Sequence, residues 1–198
     1  MTPEHTKTES GHLSRECNNS IHTALQGHGK GQCQNDMFSN DYRHLRSDIR
    51  DWFKYLNLDG SFALSLSMKQ AVQNRNENGI LYHRIDQTSG SRQVRFLLNR
   101  INTKVHGKKF RKYGKFVSVI PVFERHPRWH FHSLMWTPDG WKTGDYINLV
   151  LDCWSKTDFA HREKKVVRNI DAGWTGYITK FRSVEDDIDF ANLELPTG

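Results

Sequence analysis

Cysteine is scarce in this chain, and long apolar runs are missing. Cys17, Cys33 and Cys153 are an odd number with no CxxC pair, so neither a disulfide framework nor a cysteine-rich zinc site is indicated. That usage fits a reducing compartment. No stretch approaches the roughly 18 apolar residues of a membrane span, and the polar N-terminus lacks the apolar core of a signal peptide. A soluble, intracellular protein with no membrane partner is expected. Hydrophobic residues are 36% of the whole and mean hydropathy is −0.76, too little apolar matter for a chain packed from end to end. The shortage is sharpest over residues 1–38, rich in His, Asn, Ser, Thr, Gly and Gln. These are predicted to form a flexible tail, because so little apolar area cannot offset backbone ordering. His5, His12, His22 and His28 with Cys17 and Cys33 match no closed zinc spacing.

What is present is positive charge. The net charge is +7 with a pI near 9.4, which favours a polyanion and above all nucleic acid as partner. At 198 residues there is room for one domain, placed at 39–182, followed by an acidic tail at 183–198 carrying Glu185, Asp186, Asp187, Asp189 and Glu194. Tyr42, Leu45, Ile49, Trp52, Phe53 and Leu56 recur at helical intervals. Phe62 to Met68 alternates large apolar with small residues, the mark of a strand with one buried face. Lys69 to Asn78 is polar and reads as a helix or a long loop. Val94, Leu97, Leu98 and Ile101 define a second helix, and Tyr146, Leu149, Val150, Cys153 and Trp154 a third, in which Cys153 is a buried apolar residue. A further strand is predicted over Glu163 to Ile170 and a short helix from Gly173.

Two features carry chemistry. Phe116 to Phe123 and Trp129 to Trp136 read as a hairpin, with Pro121 arguing for an edge position or a bulge. Strand periodicity sends His130 and His132 to one face, and the turn folds Glu124 back beside them. One carboxylate and two imidazoles suit a divalent metal with open positions, although two histidines on a solvated face need no ligand at all. The second feature is a run of six cations in twelve residues without an acid: Lys104, Lys108, Lys109, Arg111, Lys112 and Lys115. Phe110 and Tyr113 are interleaved, so the run is expected to contact phosphates while the rings stack on bases, unless it is simply a solvated loop. Further on, Tyr177 and Lys180 share a helix face. A tyrosine oxygen can attack a phosphodiester where a metal polarises the phosphoryl group and an ammonium offsets the charge.

In order, Phe62-Ala63-Leu64-Ser65-Leu66-Ser67, then His130-Phe131-His132, then Tyr177-Ile178-Thr179-Lys180 resemble the three motifs of the HUH endonuclease superfamily. The likeness is to its single-tyrosine rolling-circle replication initiators and related transposases, and it covers about residues 60–182. It implies an α+β fold with an RNA-recognition-like antiparallel sheet of about five strands packed with helices. It also implies Mn²⁺ or Mg²⁺ held by His130, His132 and a third ligand, with Glu124 the match and His126 its competitor. Tyr177 would then attack single-stranded or hairpin origin DNA laid across the sheet, giving a 5′-phosphotyrosyl link, with Lys180 neutralising the phosphate. Lys108, Lys109, Arg111, Lys112, Tyr113, Lys115 and Arg168 are candidates for DNA contact on charge alone. A chain this short implies a separate helicase and host replication proteins, in the cytoplasm of a prokaryote or the nucleus of a host to a eukaryotic virus. The rival reading is a non-catalytic nucleic-acid-binding module on the same kind of sheet, with exposed rings such as Phe131 stacking on bases.

Overall fold

A computed structural model describes residues 47–196 apart from 78, 126, 168–169, 171 and 179–186. All described residues belong to one compact unit, Arg43–Thr197. Helix α1 runs over residues 47–54. It is followed by β1 (Ser61–Met68), β2 (Ala71–Asn76), β3 (Gly79–Arg84), α2 (Gln87–His106), β4 (Val119–Glu124) and β5 (His130–Trp136). Then come α3 (Thr143–Ser155), β6 (Ala160–Val167), α4 (Ala172–Ile178), β7 (Asp187–Ile188) and a 3₁₀ turn at Phe190–Asn192. No helix among the described residues is long and apolar enough to cross a membrane.

The main sheet has the order β6-β1-β5-β4-β7, and every neighbouring pair is antiparallel. Together with the helices packed on it, this is the α+β arrangement that the sequence predicts. Alternation sorts the side chains into two layers. Phe62, Leu64 and Leu66 of β1 and Phe131 and Met135 of β5 join Val94, Leu97 and Ile101 of α2 and Tyr146, Val150 and Trp154 of α3 in the larger core. Asp86 caps α2, its side chain accepting from the Ser89 N–H at 2.7 Å while Ser89 Oγ accepts from the Asp86 N–H. Gly90 lets that helix approach β4, since a Cβ there would stand 3.1 Å from the Phe123 ring.

The opposite face is covered only in part. Ile120, Val122, Leu134 and Trp136 pack under Ile49 and Phe53 of α1, Ile188 of β7 and Trp174 of α4. Past Leu134, β5 continues into His130 and His132, where the apolar cover stops.

Two regions depart from the sequence reading. Lys69 to Asn78 is neither helix nor long loop: Ala71–Asn76 pairs with Gly79–Arg84 as a separate two-stranded ribbon, its turn closed by Gly79 at φ 126°. Gln73, Asn74, Arg75 and Asn76 show no apolar alternation because most of the ribbon stands in solvent, so periodicity has nothing to report. Within the acidic C-terminal stretch, Asp187–Ile188 pairs with Val122 and Phe123, and Glu194 bridges Val119. Its residues 187–196 therefore help to close the β4 edge. Pro121 lies in β4 beside that two-residue strand, second from the sheet edge.

Candidate functional site

The site begins with register. On β5, His132 lies opposite Ser65 of β1 and His130 opposite Ser67, while on the other flank Glu124 of β4 lies opposite His130. The small residues of the β1 alternation thus supply hydroxyls to the same face as the imidazoles. His132 is 4% exposed and is held at both nitrogens. Its Nδ1 lies 2.8 Å from Ser65 Oγ and its Nε2 lies 2.9 Å from Glu124 Oε2. An ionised carboxylate only accepts, so Nε2 carries the proton, and in the neutral ring the Ser65 hydroxyl donates to Nδ1. The His130 ring lies 6.3 Å from that of His132, tilted by 23°.

A cavity of about 370 Å³ opens above these residues, lined by Ser65, Glu124, His130, His132, Lys165 and Tyr177 among others. α4 delivers Tyr177: Trp174 packs into the smaller core, and three residues later the Tyr177 ring meets His132 edge-on at 5.8 Å between centroids. Tyr177 is 42% exposed. From β6, Lys165 lies opposite Ser65 on the pocket face, and Glu163 accepts from Ser67 Oγ at 3.1 Å. Ser65, Ser67, Glu163 and Lys165 were not singled out as site residues from sequence. Their signal was there in the i, i+2 placement on β1 and β6, but it has meaning only once β1 is known to pair with both β5 and β6.

The expected site is thus assembled only in part. Glu124, His130, His132 and Tyr177 meet in one pocket, with Glu124 hydrogen-bonded to His132 and the Tyr177 and His130 rings beside it, but among the described residues no three His, Cys, Asp or Glu are grouped closely enough to hold a metal ion. Lys180, Arg168 and His126 lie outside the described residues. The basic run is elsewhere. Lys108, Lys109, Arg111, Lys112, Tyr113 and Lys115 occupy the turns between α2 and β4, and none of them lines the pocket. Val119 begins β4 on that side and Glu124 ends it, five steps of about 3.3 Å away. Phe110 and Phe131 are 5% and 1% exposed, the first packed edge-on against Phe116 and the second stacked on Trp154, so neither ring is open to a base.

The antiparallel five-stranded sheet, with helices behind it and a polar pocket on the other face, is consistent with a nucleic-acid-binding β-sheet domain. No protein-family model, curated protein or solved structure matches the chain.

Proposed function

We propose that this chain binds single-stranded nucleic acid at the His132 pocket and cuts and rejoins a DNA strand there through Tyr177. The observation that carries this reading is the meeting, in one cavity, of Glu124, His130, His132 and Tyr177, which come from three elements and from positions up to 53 residues apart (177 − 124). It also agrees with what the HUH resemblance implies for the same residues.

Glu124 and His132 are donor types that suit Mn²⁺ or Mg²⁺. As they stand they are not grouped with His130 closely enough for a three-ligand site, so His130 would have to turn toward them and the Glu124 carboxylate leave its hydrogen bond to Nε2 before the three could hold an ion. Ser65 holds the His132 ring through Nδ1, and Nε2, which faces Glu124 Oε2, would become the ligating atom if the ring proton moved to Nδ1 and the Ser65 hydroxyl accepted it. Such an ion supplies Lewis-acid polarisation of the phosphoryl oxygens. The Tyr177 oxygen bonds to phosphorus, the bond from phosphorus to the 3′ oxygen breaks, and the phenolic proton ends on that oxygen. The products are a 5′-phosphotyrosyl link and a free 3′-OH, and the reverse step reseals the strand without ATP. Lys165 on β6 lines the same pocket and would offset charge on the reacting phosphate, the role expected of Lys180. A separate helicase would present the single strand.

A second reading has its own observation. His132 Nε2 is engaged by the Glu124 carboxylate, as in a purely structural polar cluster, and this favours a binding module without chemistry. The two are separated by incubating the protein with Mn²⁺ and a labelled random single-stranded DNA pool, then resolving the products on a denaturing gel. A covalent adduct that disappears in Tyr177→Phe supports transesterification. Binding without any adduct leaves the module.

A further inference from the structure

The pocket leaves the strongest charge feature unused. Between Gln87 and Phe123 there are nine Lys or Arg and no Asp or Glu. Arg92, Phe96, Arg100 and Lys104 recur every four residues on α2 and so form one row along its outer side. The row passes through the helix end into exposed Lys108, Lys109 and Lys112. α2 buries its other side in the larger core, on the sheet face opposite to His130 and His132. The cations therefore lie on a different layer from the pocket.

The rings in this segment indicate what kind of ligand it takes. Arg100 lies over Phe96 at 5.1 Å, Arg111 over Phe110 at 5.4 Å and Lys112 over Tyr113 at 5.8 Å. Each ring has a cation over one face, so the aromatic groups of this segment reinforce its positive charge. The surface is that of a convex helix dominated by positive charge. Such a surface suits a duplex backbone, which carries about one charge per 1.7 Å of axis, twice the density of a single strand. From Arg92 to Lys104 the row spans about 18 Å at 1.5 Å per residue, the rise of about five base pairs.

We propose that the outer face of α2 and the turns after it form a second nucleic-acid surface, which grips the phosphate backbone of a DNA duplex while the pocket holds a single strand. This rests on the nucleic-acid reading of the chain but not on any chemistry at Tyr177. The test uses the full chain carrying Arg92→Gln, Lys104→Gln, Lys108→Gln, Lys109→Gln and Lys112→Gln together, all at exposed positions. Fluorescence anisotropy with a 20-base-pair duplex at about 0.1 M salt is expected to show a loss of about 100-fold. The slope of log K against log salt should become shallower by about 0.9 for each phosphate contact removed. Lys→Arg at the four lysines should retain duplex binding and shows that charge carries the effect. A second arm measures duplex binding with the pocket saturated by an unlabelled 12-base single strand, where the duplex affinity is expected to stay within twofold. Unchanged duplex affinity in the folded five-site variant overturns the proposal, and so does stoichiometric competition between single strand and duplex. So does a loss confined to vesicles containing anionic lipid. If His132→Ala and Tyr177→Phe leave single-strand binding intact while the five-site variant loses the duplex, the pocket reading fails and this surface stands.

Discussion

At the scale of single residues, His132 is fixed from both sides, and the two contacts do different work. Ser65 sets the orientation of the ring, while Glu124 occupies the nitrogen that a cation would need. An ion held at Nε2 would require the ring proton to move to Nδ1, where the Ser65 hydroxyl can turn round and accept it, so the same serine supports both tautomers. Ser65→Ala keeps both ligands but frees the ring. It is expected to weaken Mn²⁺ binding by 10- to 100-fold, on the order found when partners of ligating histidines are removed. Titration calorimetry reads this, and unchanged affinity would show that Ser65 has no positioning role. Elsewhere the interior carries polar atoms with no partner among the described residues, including the hydroxyls of Ser133 and Tyr146. Burial pushes the Tyr146 phenol well above its usual range, so it stays neutral and donates to nothing. Tyr146→Phe removes an unsatisfied hydroxyl from the larger core and is expected to stabilise the protein by about 1 kcal/mol in urea denaturation. A loss of similar size would reveal a water bound at that oxygen.

At the scale of elements, the strands β1 and β5 and the helices α2 and α3 were legible in the sequence because each buries one face and leaves the other wetter. The ribbon β2–β3 was not, since most of its side chains face water and leave no period. The site was half legible. His130 and His132 declare a shared face by their spacing, and Glu124 follows from the turn. Lys165 and Glu163 reach the pocket through pairing between β1 and β6, and sequence spacing does not encode which strands become neighbours. The basic run is legible as charge, but composition does not tell which layer of the fold carries it. Nor does spacing show that Phe110 and Phe131, which offer themselves as stacking rings, are buried. In β7, burial beside β4 pushes the Asp187 carboxyl up to about 6, helped by Asp189 and opposed by its hydrogen bond from the Ile188 N–H. A raised acid holds its proton longer in the folded state, so stability is greatest below the unfolded pKa and falls as pH rises from about 4 to about 6. The loss is of order 3 kcal/mol. Asp187→Asn keeps an acceptor for Ile188 and should flatten that part of the pH–stability curve. Thermal melts at pH 4 and 7 test this, and a variant that keeps the wild-type pH dependence would place its origin elsewhere.

At the scale of the whole molecule, the sheet divides two kinds of surface. One face carries the polar pocket beside the smaller core, and the other is backed by the helix that presents the cation row. A ligand of the folded pocket must raise the melting temperature of the chain by mass action. With Mn²⁺ at 100 times its dissociation constant the gain is about 2.7 kcal/mol, and EDTA should reverse it. A melt that does not respond to Mn²⁺ would argue for the binding module without metal. The position of β5 has a further consequence. It is the middle strand, hydrogen-bonded to β1 on one side and β4 on the other, with a core on each face along Leu134 to Trp136. Its amides should exchange with deuterium only through global unfolding, whereas α4 packs at the margin of the smaller core through Trp174 and is expected to open locally. The imidazoles thus ride on the slowest-exchanging strand and the tyrosine on an element that opens at much lower free energy. Any gating of the pocket belongs to the tyrosine side, with the histidines as its fixed floor.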